Sequence, residues 1–157
     1  MGVGDVTAQR LVEKKTSHEH DYKRTLTFLG LGTFMVGPAL VIWYKTLSVV
    51  VKGSGKSVVL KKVGLDQLCF SPTFIGCFLC ALGFAQGKDF QQIRKDISRD
   101  YQDILLTNYK IWPLVQLGNF YLTPLQYQTL VVQAVAICWN TYISWKTQLR
   151  QQDKIEK

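Results

Sequence analysis

The sequence predicts an all-α integral membrane bundle of about four spans, and three observations point there. Charge is absent from long stretches, those stretches have the length of membrane helices, and the basic residues gather between them. The first observation carries most weight. No charged residue falls in 25–44 or in 67–87, and residues 111–145 hold no Asp, Glu, Lys, Arg or His. A helix that meets water carries charge on its wet face, so three such gaps imply a solvent other than water. Bulk composition is neutral on the matter. A chain of 157 residues with 47% hydrophobic residues, 19% charged residues and a mean hydropathy of +0.04 would equally suit one soluble domain with a large core.

Residues 25–44 make the first full-length run. A hydrocarbon layer about 30 Å thick needs about 20 residues of helix, which this run supplies. Gly30, Gly32, Gly37 and Pro38 weaken a helix in water but are common in lipid. Trp43 and Tyr44 stand beside Lys45 as interface anchors do. A second span is expected at 65–87, where Gly76, Cys80, Gly83 and Gly87 form one stripe of small residues that lets helices approach closely. Residues 88–103 mix both charges, with Phe90, Ile93, Ile97, Tyr101 and Ile104 at helical spacing. They read as an amphipathic connector along the interface, and a solvated linker helix fits the same pattern.

The run 111–145 is too long for one crossing, roughly 52 Å as helix. The turn is expected at Thr123-Pro124, because proline disfavours helix in the residue before it. Spans at 104–123 and 126–145 follow, then a polar tail at 146–157. The net charge is +8. The segment 45–62 holds five lysines and no acid, and basic segments beside apolar runs suit anionic headgroups. The lipid bilayer is therefore the expected partner, with no direct nucleic-acid contact.

The polar residues inside the runs carry the functional information. Gln126, Gln133 and Asn140 recur every seven residues, with Thr129 and Ser144 on the same face. On the preceding span Asn108, Trp112, Gln116 and Asn119 share a face. An unpaired amide in hydrocarbon costs several kcal/mol, so these stripes face the bundle interior. Two readings stay open: interhelical hydrogen bonds as structural glue, or the lining of a narrow water-filled path. Asp66 and Lys110 are the ionisable groups nearest the membrane. Asp66 reads either as a pore group or as a helix-start residue, and Lys110 can snorkel.

Three patterns mislead. Gly55-Lys56-Ser57 resembles the end of a phosphate-binding loop, but Val50 stands where that loop needs its first glycine. Cys77 and Cys80 form a C-x-x-C with no second pair or neighbouring His; buried, inert thiols are expected, a membrane thiol enzyme being the weaker reading. His18 and His20 flank Glu19 as a weak metal pair. No catalytic triad or carboxylate pair is visible, so the chain reads as a non-enzyme without cofactor or metal.

The C-terminal pattern Asp100-Tyr101, Asn108-Tyr109, Trp112-Pro113, Gln116, Asn119-Phe120, Pro124-Leu125, Trp139-Asn140, Tyr142 and Ser144-Trp145 resembles a membrane family signature. It is that of the Mpv-seventeen and peroxisomal membrane protein family. Upstream, Gly4-Asp5, Gln9, Gly37-Pro38, Trp43-Tyr44, Asp66-Gln67 and Pro72 resemble it too. Residues 131–136 leading into Trp139 look closest to its mitochondrial inner-membrane branch, the peroxisomal membrane being the less favoured location.

The resemblance implies a four-span helical protein forming a small non-selective channel for unidentified solutes; a homo-oligomer is left open, since no residue pattern fixes the oligomeric state. It also implies a role in mitochondrial homeostasis, including upkeep of mitochondrial DNA and nucleotide pools. A structural membrane protein organising partners is the alternative. Because family members begin with further residues, the resemblance implies that 1–24 holds a first span truncated at its N-terminus, plus a loop. Asp66, Asn108, Gln116, Asn119, Gln133 and Asn140 are the candidate pore or packing residues, and Gly76, Gly83 and Gly87 the candidate helix-packing positions.

Overall fold

The computed structural model describes residues 1–53, 55–124 and 127–152, and every regular element among them is helical. We number five helices. Helix α1 runs over Gly2–Thr7 and continues through a π-helical turn at Ala8–Val12. Helix α2 spans Tyr22–Val50, α3 Ser57–Ala85, α4 Phe90–Leu122 and α5 Gln128–Gln152.

Side-chain caps start two of them. Asp21 accepts from the Arg24 backbone N–H at 2.9 Å ahead of α2, and Asp89 accepts from that of Gln92 at 2.7 Å ahead of α4. Helices α2 and α3 each carry an internal proline, yet neither breaks. A π-helical turn precedes each: Gly32–Val36 before Pro38, and Asp66–Phe70 before Pro72. Proline lacks an N–H and its ring crowds the carbonyl four residues back. The wider turn opens the ladder at that point. Helix α3 ends at Gly87, whose φ of 75° is left-handed, with Lys88 N–H returning to the Gly83 carbonyl at 3.1 Å. Gly87 is thus a helix stop with open space around it, whereas the stripe pattern made it a packing position.

Among the described residues, two helices are long and apolar enough to cross a membrane, α2 and α3. Only 6% of the most apolar window of α2 is buried. Leu26, Phe34, Val41 and Ile42 point outward, a surface that in water would mark an aggregation site. The apolar core of a soluble protein would instead be hidden. Helices α4 and α5 are long but more polar, so the helices display two apolar crossings where four spans are expected.

The core is compact. Phe28 of α2, Ile75, Phe78, Leu79 and Leu82 of α3, Ile104 of α4 and Ile143 of α5 form one buried cluster. This corrects the expectation for 88–103. That segment is no separate connector, because α4 runs unbroken from Phe90 to Leu122. Nor does its apolar stripe face headgroups. Ile93 and Ile104 are buried, Ile97 and Tyr101 pack against the core, and the Tyr101 hydroxyl donates to the Pro72 carbonyl at 3.0 Å. Helix α3 lies against the stripe at Ile93 and Tyr101, while Phe90 stays exposed. The segment 45–62 is likewise mostly helix, since α2 persists to Val50 and α3 restarts at Ser57.

Two glycines mark the closest approaches. A Cβ on Gly83 would come 2.6 Å from Ile93 Cγ1, so α3 and α4 touch there, while Gly76 has only ordinary contact with Tyr101. A Cβ on Gly4 would meet Asn140 Cβ at 2.5 Å and the Thr141 backbone nitrogen at 2.9 Å. Backbone cannot yield as a side-chain tip can, so Gly4 fixes α1 directly on α5. Overpacking of this kind costs roughly 1–3 kcal/mol. Gly4→Ala is therefore expected to lower the thermal midpoint of the detergent-solubilised protein, whereas Gly118→Ala, with nothing within 4 Å, is expected not to. Equal midpoints for the two variants would contradict the contact.

Candidate functional site

Two polar assemblies occupy the interior, and they differ in how completely their groups are paired. The first is a knot around Asp5. Asp5 and Gln9 lie four residues apart on α1, so they share one helical face, and Gln9 Nε2 donates to Asp5 Oδ2 at 2.8 Å. Arg24, in the first turn of α2, places its Nε 2.6 Å from Asp5 Oδ1 and an Nη 2.6 Å from Glu13. The same guanidinium donates to Ser144 Oγ of α5 at 2.8 Å, and Ser144 hydrogen-bonds to Asp5. Thr25 Oγ1 donates to Asp5 Oδ2 at 2.6 Å. Asp5, Gln9 and Ser144 are fully buried. Three helices are thereby tied through one carboxylate.

The second assembly is a cavity of about 480 Å³ between α2, α3, α4 and α5. Asp66 and Gln67 reach it from α3, Asn108 and Gln116 from α4, and Gln133 and Asn140 from α5. Spacing explains the convergence. Asn108, Trp112 and Gln116 fall at i, i+4 and i+8 on one face of α4, and Gln133 and Asn140 lie two turns apart on α5. Asp66 accepts from Trp43 Nε1 at 2.8 Å and from Gln67 Nε2 at 2.9 Å. Trp43, Phe70 and Phe74 stack in series with centroids 4.9 Å apart. Across the cavity Trp112 and Trp139 meet edge to face at 6.2 Å.

Five of the six candidate polar residues therefore line one space. Asn119 is buried but does not line it. Asp66 is not at a helix start either: α3 begins nine residues earlier, and Asp66 opens the π-helical turn inside it. Ser144 leaves the α5 stripe and joins the knot, while Gln126 and the Thr129 side chain lie outside the described residues. Lys110 is exposed. Cys77 is exposed and Cys80 half-buried, with Cys69 and Cys138 exposed as well, which corrects the expectation of buried thiols for Cys77: its face of α3 points away from the core that Phe78 and Leu79 occupy.

Sequence reasoning did not single out Asp5, Gln9, Arg24 or Gln67 as interior groups. The i, i+4 pairing of Asp5 with Gln9 beside Gly4 was the available signal for α1. For Arg24 there was none, because it looks like an ordinary charge flanking an apolar run.

Relatives of known type match the chain over most of its length. The profile of the Mpv17 / PMP22 family matches residues 83–144. The mitochondrial inner membrane protein Mpv17 of Xenopus laevis is 49% identical over 146 residues, covering 93% of this chain and 82% of that protein. The human protein of the same description is 49% identical, covering 93% and 83%. Protein sym-1 of Neurospora crassa is 40% identical, covering 92% of this chain and 83% of that protein. No solved structure matches the chain.

Acid is expected to loosen the knot through Glu13. Burial pushes the Glu13 carboxyl up, but hydrogen bonds and charge from Arg24 and Lys15 outweigh it and hold the group below its ordinary 4.5. A depressed carboxyl contributes stability that is complete above the unfolded value and disappears as pH falls through the folded one. The thermal midpoint should therefore drop as pH is lowered below 4.5, and Glu13→Gln should flatten part of that slope. An unchanged slope in the variant would show that Glu13 contributes nothing there.

Proposed function

We propose that this chain, which belongs to the Mpv17 / PMP22 family and is closely related to mitochondrial inner membrane proteins, acts in that membrane as a channel-like protein whose solute path runs through the central cavity. One observation supports this reading: polar side chains of three helices converge on a 480 Å³ space, and apart from the Asp66–Gln67 pair none of Asp66, Gln67, Asn108, Gln116, Gln133 and Asn140 is hydrogen-bonded to another. Amides serving only as glue would close on their neighbours, as the knot around Asp5 does.

The path is non-selective by size, admits small solutes, and is carried by a bundle of about four spans in which α4 and α5 present their polar faces to α2 and α3. The wider role attached to it, taken from the family resemblance, is mitochondrial homeostasis with upkeep of mitochondrial DNA and nucleotide pools. The organiser reading has less support. It would present glycine and amide faces to other proteins, and within this chain Gly76 and Gly83 lie against Tyr101 and Ile93.

Purified protein in planar bilayers is expected to conduct, and in vesicles to release a small trapped dye. Gln133→Leu combined with Asn140→Leu should reduce both severalfold by making the path apolar. Leu26→Ala, on the outer face of α2, should leave both unchanged. Silence of the folded wild-type protein in both assays would remove the channel reading.

A further inference from the structure

Charge is divided unequally between the two ends of the α2–α3 pair. The pair is antiparallel: Phe28 meets Phe78 toward one end with centroids 6.4 Å apart, and Trp43 stacks on Phe70 toward the other at 4.9 Å. Every acidic residue except Asp66 falls in 1–24, 88–103 or 146–157. Basic residues there have acidic partners: Arg24 pairs with Asp5 and Glu13, Lys88 with Asp96, and Lys146 with Asp103. Residues 1–24 hold five basic and four acidic side chains, and 88–103 hold four of each. The opposite end is the connection between Val50 and Ser57, where Gly53 and Gly55 take left-handed φ values of 111° and 108°. It carries Lys45, Lys52, Lys56, Lys61 and Lys62. Lys45, Lys52 and Lys61 are exposed, and none of these three has an ion pair among the described residues. Asp66, the acid nearest to them in sequence, accepts from Trp43 and Gln67 instead.

The same end is apolar as well as basic. Beyond Tyr44, α2 continues to Val50, about 9 Å further along its axis, past the charge-free run that fits the hydrocarbon. Val49, Val50 and Leu60 are nonetheless exposed there, among the lysines. A soluble polyanion would pair with the ammonium groups and leave these apolar side chains in water. A bilayer interface takes both, with phosphates at one depth and acyl chains just below. We infer that this end of the α2–α3 pair is a binding surface for anionic phospholipid. Lys45, Lys52 and Lys61 hold headgroup phosphates, and Val49, Val50 and Leu60 lodge between the upper acyl chains. Long lysine stems let the charges reach phosphate from the helix flanks. A zwitterionic headgroup sets its own cation against the lysines, so lipid of net negative charge is preferred. The surface is separate from the solute path, because none of these residues lines the cavity.

The test reconstitutes the full chain in phosphatidylcholine vesicles holding a trace of pyrene-labelled lipid. Energy transfer from the protein's tryptophans then reports which lipid gathers around it. Labelled phosphatidylglycerol is expected to be enriched about fivefold or more over labelled phosphatidylcholine at low salt. The ratio should approach one as salt screens the charges. Lys45→Gln, Lys52→Gln and Lys61→Gln together should bring it close to one already at low salt. A matched change at the other end, Lys23→Gln with Arg94→Gln and Lys95→Gln, all exposed, should leave it near the wild-type value. Replacing Lys45, Lys52 and Lys61 by arginine should retain the preference, which separates loss of charge from damage to the fold. Absence of any preference in the wild type would overturn the inference. So would a preference that survives the first glutamine triple, is lost equally in both triples, or is lost with arginine. Suppression by inorganic phosphate or a short DNA duplex, at an ionic strength where chloride has no effect, would assign the surface to a soluble anion and contradict it too.

Discussion

Hydrocarbon offers a polar group no partner, so every charge inside a membrane bundle must be answered by the chain itself or by something the chain holds. Asp5 makes the heaviest demand of this kind. Its carboxylate is fully buried, and a carboxylate without partners there would cost several kcal/mol. Arg24, Gln9, Thr25 and Ser144 all turn toward it. The demand explains the fold's least local feature, the docking of α1 on α5. A short helix would have little reason to stay on a distant partner through apolar contact alone, but Ser144 and Arg24 give it a fixed address, and Gly4 lets the backbones close to contact distance. With α1 and the start of α2 anchored to α5, the remaining length of α2 is set against α3 and the cavity between them is defined.

Knot and cavity are complementary outcomes of the same rule. In the knot, both oxygens of Asp5 and both polar atoms of the Gln9 amide have hydrogen-bond partners. Beside the cavity, Gln67 and Asn108 each keep one buried oxygen without a hydrogen-bond partner. Such a group is destabilising unless something fills the space. Natural proteins keep polar groups of this type where a ligand or water will meet them. The π-helical turns fit the same division. That of α3 opens on Asp66, and Pro72 follows within six residues, so the backbone irregularity sits where a carboxylate reaches the cavity.

Much of this organisation was legible in the residues. The charge-free runs foretold helices over most of the chain, and the seven-residue spacing of Gln133 and Asn140, with the matching face of Asn108 and Gln116, foretold polar groups pointing inward to a shared space. What stayed hidden was pairing at long range. Asp5 and Ser144 are 139 positions apart, and no local pattern says that they meet. Arg24 reads as a membrane-edge charge because its partners lie elsewhere in the sequence. Periodicity also gives a face without naming what covers it: Ile93, Ile97, Tyr101 and Ile104 form one stripe whether headgroups or α3 lie against them. Likewise Gly83 and Gly87 share a stripe by spacing, yet one is a contact and the other a left-handed helix stop, a difference that resides in φ alone.

The central claim is that Asp5 and Arg24 act as one unit that holds α1 to the rest of the bundle. A double-mutant cycle measures this directly, with thermal midpoints of the wild type, Asp5→Asn, Arg24→Gln and the double variant compared in one detergent. If the pair is a unit, each single change strands a buried group, and the double variant melts no lower than the weaker single variant. If the two losses simply add, the residues act independently and the claim is wrong.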